Sequence, residues 1–261
     1  MNPTLRHWLH ACHLRPRSTW RALTRLPRFL RAGRAFRRAA GDSTAWTFAA
    51  SRPCLDDADA AGGTASGHYF HQDLYVAQCI FARRPQRHID IGSRVDGFVA
   101  HVAAFREIEY IDLRPMDATV PNIVFRCGNL LECASLPARA CDSLSCLHVI
   151  EHVGLGRYGD RLQPEGWQIA LHSLAQVLSV GGILYLSVPI GRQRVEFNAH
   201  RVFAPDTVVR AGAELGLKLE RFAWVDDGGA FHPAAAEKTE IPRRAEACNY
   251  GCGIFELRHT R

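Results

Sequence analysis

The stretch that most narrows the possible folds is His88-Ile-Asp-Ile-Gly-Ser-Arg-Val-Asp-Gly-Phe98. It alternates like a strand, breaks at a glycine, and is followed by Val99-Ala-His-Val-Ala-Ala-Phe105, whose apolar residues recur at helical spacing. The pattern predicts a strand, a tight turn and a helix over 99–105. Gly92 lets the backbone turn sharply beside a ligand, and the first N–H groups of the helix offer that ligand a polar end. The next predicted strand, Ile108-Glu-Tyr-Ile-Asp112, ends in an acid 22 residues after Asp90. Doubly wound folds place a carboxylate for ribose hydroxyls at about 20 residues.

This pairing resembles the class I S-adenosylmethionine-dependent methyltransferases, in which an Asp/Glu-x-Gly-x-Gly-x-Gly loop precedes a second acid. The resemblance covers roughly residues 68–258. It implies cofactor contacts from Asp90, Gly92, Ser93, Gly97, Asp112 and Asn129, with Asp112 on the ribose, Gly92 and Ser93 near the methionine end, and Asn129 on the adenine. Arg94 and Asp96 stand where the common loop has glycines. Four strings, Tyr69-Phe-His-Gln-Asp73, Asp90 to Phe98, Cys146 to Asp160 and Val188 to Arg201, also look like an uncharacterised methyltransferase-like family. That family is associated with surface-polysaccharide gene neighbourhoods, so the resemblance suggests a sugar or glycan acceptor.

At 261 residues and 47% hydrophobic content the chain supports one substantial core with a short appendage. No uninterrupted apolar run of about 18 residues occurs, so no membrane-spanning helix is expected. The nine cysteines show no Cys-x-x-Cys pair, and most lie in apolar strings, which fits reduced thiols in a cytoplasmic protein. The net charge of +6 is unevenly spread: ten of the 32 basic residues lie in residues 1–41 with no acid. The rest of the chain carries 22 basic against 26 acidic residues. Such a weakly acidic body does not suit a nucleic-acid groove.

Residues 1–41 interleave arginines with Trp8, Trp20, Leu23, Leu26, Phe29 and Phe36, predicting one or two basic amphipathic helices interrupted by Pro16 and Pro27. Arginines beside aromatic residues suit an anionic membrane surface, so peripheral contact through residues 1–38 is expected. Residues 42–67 read as a linker and 68–261 as the methyltransferase-like domain. Within it a helix is expected over 70–81, with Tyr69, His71 and Asp73 near the ligand. Further helices are expected over 165–179, ended by Gly181-Gly182, and 205–215. Strands are expected at 122–125, 143–147, 183–188, 217–225 and 253–259. With the first two, these make a seven-stranded, Rossmann-like, doubly wound α/β sheet, mostly parallel, with an antiparallel last strand implied by the resemblance.

In such sheets ligands lie at the carboxyl ends of the strands. The string His148-Val-Ile-Glu151-His152 leaves the fourth strand there, and His200 follows the fifth. It matches the zinc-peptidase pattern His-x-x-Glu-His literally, but Gly154 follows too soon for the long helix that pattern needs. It resembles instead the Glu-His strings of small-RNA and quinone O-methyltransferases, in which these side chains hold a divalent metal. His148, Glu151, His152 and His200 are therefore the candidate catalytic residues, acting on one divalent ion or as a metal-free base cluster. The expected activity is methyl transfer from S-adenosylmethionine to a sugar hydroxyl. A non-catalytic partner module of the same fold, and a quinone or nucleic-acid methyltransferase, are the alternatives.

Overall fold

The computed structural model describes residues 16–41, 51–55, 63, 65–234 and 240–261. Contacts divide the chain into two units at Thr64 and Ala65. In the first unit, helix α1 (Pro16–Ala40) runs unbroken through Pro27. Pro16 takes the first helical position, where its missing N–H has no partner to lose. The interior Pro27, expected to interrupt the helix, instead only removes one backbone bond. Trp20, Leu23, Leu30 and Phe36 are exposed along it, and the Arg25 guanidinium donates to the Leu55 carbonyl at 2.8 Å. Residues 1–15 and most of the expected linker lie outside the described residues.

In the second unit, α2 (His68–Arg83) precedes β1 (His88–Ile91), followed by β2 (Ile108–Asp112), β3 (Ile123–Cys127), β4 (Cys141–Leu147) and β5 (Leu178–Ile190). After a hairpin of β6 (Arg194–Glu196) and β7 (His200–Val202) come β8 (Leu217–Val225), β9 (Phe231–His232) and β10 (Gly251–His259). Helices α3 (Ala100–Ala103), α4 (Gly166–Val177), α5 (Pro205–Glu214) and α6 (Arg243–Glu246) complete it. The main sheet has the order β3-β2-β1-β4-β5-β10-β8-β9. β1 to β5 pair in parallel, and β10 inserts antiparallel between β5 and β8. The sheet thus has eight strands where seven were expected, the additional one being the two-residue edge strand β9, paired through Trp224 and Val225.

Side-chain alternation sorts the core onto two faces. Ile89, Ile111, Leu144 and Leu186 pack with Leu171 and Leu174 of α4 and Val208 of α5. Ile108, Tyr110, Leu147 and Tyr185 pack with Val76 and Ile80 of α2 and Val102 of α3. Each fully buried aliphatic side chain of this kind stabilises by about 1.5–3 kcal/mol. Two local expectations differ. The helix expected over 99–105 begins earlier, with a π-helical turn at Val95–Val99, and its α-helical part α3 ends at Ala103, residues 104–105 forming a turn. Gly181 and Gly182 lie within β5 rather than ending α4, which stops at Val177, since the chain goes directly from helix to strand at Leu178.

Candidate functional site

β1 carries Asp90 into the interior, where it is fully buried. Its carboxylate accepts from the Ser93 backbone N–H at 3.0 Å, the Ser93 hydroxyl at 2.6 Å, and the Ser145 hydroxyl. Ser145 and Ser143 in turn contact the two ring nitrogens of buried His88 at 3.1 and 2.8 Å. Burial pushes Asp90 up to about 7 and His88 down to about 3. The network closes the turn after β1, where Gly92 has φ +76° and donates its N–H to the Ile111 carbonyl at 2.8 Å. A Cβ at Gly92 would meet Val149 Cγ1 at 2.9 Å, so only glycine brings the backbone this close.

Beside this turn opens a cavity of about 380 Å³, lined by Gly92, Ser93, Asp112 and Asn129 together with Leu147, His148, His152 and Tyr158. Asp112 ends β2 in its wall, and its oxygens accept from the Tyr110 hydroxyl (2.7 Å), the Arg114 backbone N–H (2.8 Å) and the Arg114 guanidinium (3.1 and 3.0 Å). Burial opposes its ionisation, but these donors outweigh burial and hold its pKa below the usual carboxylate range. The half-exposed Arg114 guanidinium also lies 4.7 Å from the centre of the Tyr158 ring. At the mouth, Arg94 pairs with Asp96 at 2.8 Å and sits over the Tyr69 ring at 4.8 Å.

Farther along the chain, β4 delivers His148 to the lining in a left-handed conformation, φ +54°. Its Nδ1–H donates to Glu151 Oε1 at 2.7 Å, and its ring lies 5.2 Å from that of Tyr69 and 5.3 Å from that of His68. Burial disfavours the charged ring, yet Cys252 and Glu151 outweigh it and move the His148 pKa up. His152 Nδ1 lies 2.6 Å from the Ala199 carbonyl, so that nitrogen carries the proton and Nε2 keeps its lone pair, 3.6 Å from Glu151 Oε1. Burial lowers the pKa of His152 and of His200. The His200 ring stands 6.4 Å from that of His152. Among the described residues, His148 Nε2, Glu151 Oε2 and His200 Nε2 are buried polar atoms without a hydrogen-bond partner.

The loop bearing Glu151 and His152 is held by Arg201, whose buried guanidinium donates to the carbonyls of Glu151, Val153, Gln163 and Pro164 at 2.7 to 3.4 Å. Sequence reasoning did not single out Arg201, although it closes the string that supplied His200. Arg114 and Tyr158 were also missed, since neither spacing nor residue type distinguishes them from surface residues.

Gly92, Ser93, Asp112, Asn129, His148 and His152 line the cavity, whereas Asp90, Gly97, Glu151 and His200 do not. Asp90 is taken up by the serines. Gly97 faces Asp73, whose Oδ2 would lie 2.5 Å from an added Cβ. The Asn129 amide oxygen, expected to face an adenine, accepts from the Leu131 N–H at 3.0 Å. Of the α2 residues expected near a ligand, Tyr69 lines the cavity, His71 stacks on Phe231 at 5.4 Å, and buried Asp73 is pushed up to about 6 by desolvation. Glu151 Oε1 lies 2.7 Å from His148 Nδ1 and 3.6 Å from His152 Nε2, and the His200 ring 6.4 Å from that of His152, but the four do not form a common ligand set. Glu151 Oε1 is engaged by His148, and His152 Nδ1 is turned to a carbonyl.

A family model described as Caenorhabditis protein of unknown function, DUF268, matches residues 135–230. No curated protein matches the sequence. Among solved structures, a Galdieria sulphuraria protein described as a sarcosine dimethylglycine methyltransferase is 13% identical, with 73% of this chain and 86% of that chain covered and a TM-score of 0.50. The YcgJ protein of Bacillus subtilis is also 13% identical, covering 73% of this chain and 99% of that one with a TM-score of 0.50. The N-methyltransferase NodS of Bradyrhizobium japonicum WM9, in complex with S-adenosylhomocysteine, is 12% identical over 74% of this chain and 88% of its own, with a TM-score of 0.48. The sheet order and the likeness to the Galdieria and Bacillus structures show a Rossmann-like α/β fold.

Proposed function

We propose that this protein is an S-adenosylmethionine-dependent methyltransferase that acts on a hydroxyl of a sugar or glycan intermediate, with His152 as general base. The observation that carries this reading is that one cavity joins the Gly92 turn and Asp112 to a histidine whose Nε2 lone pair is fixed by the Ala199 carbonyl. The residues present fit the cofactor. Gly92 and Ser93 line the cavity where the methionine end would lie, Asp112 is held ionised for ribose hydroxyls, and the volume falls in the ~300–1,000 Å³ range of small-molecule sites. When bound, S-adenosylmethionine supplies an electrophilic methyl group.

The chain's own residues handle the acceptor. A sugar hydroxyl is a poor nucleophile until its proton is taken, and His152 Nε2 takes it as the oxygen attacks. Glu151, 3.6 Å away, stabilises the imidazolium that results. General-base help of this kind is typically worth about 10²–10⁴-fold. The glycan class rests on the resemblance of the four strings. Cytoplasmic placement, with reversible contact of residues 1–38 with anionic membrane, rests on reduced thiols and on the exposed aromatic residues and arginines of α1. No helix among the described residues is long and apolar enough to cross a membrane.

Calorimetry with S-adenosylhomocysteine, followed by transfer of labelled methyl groups to nucleotide sugars and lipid-linked glycans, tests the reading. One observation favours a second reading: the Arg114 fork occupies Asp112, as in a fold whose cofactor end has closed to serve as a partner module. Absence of S-adenosylhomocysteine binding by well-folded protein would select that reading.

A further inference from the structure

A second constellation shares His148 with the cavity lining. His68 begins α2, His148 follows β4, and Cys252 lies in β10. These three bring one ligand atom each, two nitrogens and one sulfur, to within 4.8 Å of one another. Cys252 is fully buried, and the His148 side chain is 4% exposed. His148 Nδ1–H is committed to Glu151, so Nε2 is the nitrogen left over, and it is buried without a partner. A ring fixed by a carboxylate through one nitrogen and presenting the other is how metal-binding histidines are ordinarily oriented.

We infer that His68, His148 and Cys252 form a transition-metal site, with Glu151 orienting His148. Two imidazoles and a thiolate favour Zn²⁺ over Mg²⁺ or Ca²⁺, which prefer oxygen. Three protein ligands leave a fourth position for water or an acceptor oxygen, as in catalytic zinc sites. Because His148 also lines the cavity, that position adjoins the space assigned to the acceptor. Tetrahedral ligand atoms lie roughly 3.3–3.7 Å apart, given bonds of about 2.0–2.3 Å, so loading draws the three together by roughly 1 Å. The Cys252 Sγ–H, 3.6 Å from Gln72 Oε1, loses its proton to solvent as the sulfur–metal bond forms, and Nε2 releases any proton it carries. No oxidation or reduction is involved. This set differs from the quartet expected at the strand ends, sharing only His148.

The test uses the full-length chain titrated with Co²⁺ as a spectroscopic probe and Zn²⁺ as competitor. The expected result is one ion per chain, with a thiolate-to-cobalt charge-transfer band and proton release seen as a buffer-dependent binding enthalpy. Cys252→Ser should abolish the band, His68→Ala, at a half-buried position, should weaken binding at least tenfold, and His200→Ala should leave it unchanged. Circular dichroism checks that each variant is folded. No stoichiometric binding by the wild-type chain, an unaltered band in Cys252→Ser, or loss of binding in His200→Ala would overturn the site. S-adenosylhomocysteine binding measured on the same samples separates this failure from failure of the methyl-transfer reading, which does not require the ion.

Discussion

At the ends of β1 and β2, the carboxylates of Asp90 and Asp112 are taken by donors from the chain itself. In the loop after β4 and at the start of β7, His148 Nε2, Glu151 Oε2 and His200 Nε2 are buried with none. A buried polar atom without a partner is destabilising by about 1–3 kcal/mol, so the first group is satisfied as it stands and the second is not. Of these, Asp112 and His148 line the cavity: a ligand reaching Asp112 must displace a protein donor, Arg114, whereas a ligand reaching His148 Nε2 gains a hydrogen bond that the protein alone does not make. On the proposed reading, binding at Asp112 discriminates by exchange, and binding at His148 by completion.

The comparison breaks most severely if His152 is dispensable. His152→Ala should lower turnover by about 10²–10⁴-fold while leaving S-adenosylhomocysteine affinity within about twofold. Burial lowers the His152 pKa, and the neutral ring is the active form. The wild-type rate should therefore be flat at and above the ordinary imidazole value of about 6.5 and fall only as pH drops through the lowered one. A pH profile of kcat/KM should show that acid limb in the wild type and lose it in the variant; an identical limb in both would assign the titration elsewhere.

Next in size is the support beneath the loop after β4. Arg201→Met removes donors from four carbonyls, two of them within the His148–Val153 loop. It should cost about 3 kcal/mol in a denaturant melt, and more in turnover than in cofactor affinity. Equal losses in turnover and in cofactor affinity would mean that the two groups of residues are not independent.

Asp112→Ala should weaken S-adenosylhomocysteine binding by roughly tenfold to a hundredfold in calorimetry, the worth of a charge-assisted hydrogen bond of about 1.5–3 kcal/mol. The smallest effect carries the opposite sign. Arg114→Ala should tighten that binding by a few-fold, since the half-exposed guanidinium no longer has to be displaced from the buried Asp112 carboxylate. Weakened binding in Arg114→Ala would show that the guanidinium touches the ligand and that exchange is the wrong description.

The sheet was largely legible because hydrophobic period and glycine placement are local properties: β1, β2, α2 and the order of elements follow from residues that are neighbours in sequence. The eighth strand escaped because two residues, Phe231 and His232, carry no period; they pair only because Trp224 and Val225 lie beside them. The same limit applies to the site. Asp112 and His152 stand at recognisable offsets from strand ends, but the Arg114 fork depends on a side chain folding back two residues. The Arg201 clasp depends on carbonyls 37 to 50 residues away. The triad of His68, His148 and Cys252 was invisible for the plainest reason: its members are spread over 185 positions and meet only through the sheet. Gly97 misled in the reverse direction, since a glycine demanded by Asp73 reads in sequence like one demanded by a ligand.

The insertion of β10 between β5 and β8 has a consequence for synthesis. β10 follows every other strand in chain order, so on a ribosome β1 to β5 emerge able to pair among themselves. β8 pairs only with the short β9, and β5 keeps an open edge. Until residues 251–259 arrive, the nascent chain holds two sheet fragments with unpaired backbone, the condition under which holding chaperones engage and aggregation competes. The same strand brings Cys252 to His148, so the thiol joins the histidines only in the step that closes the sheet.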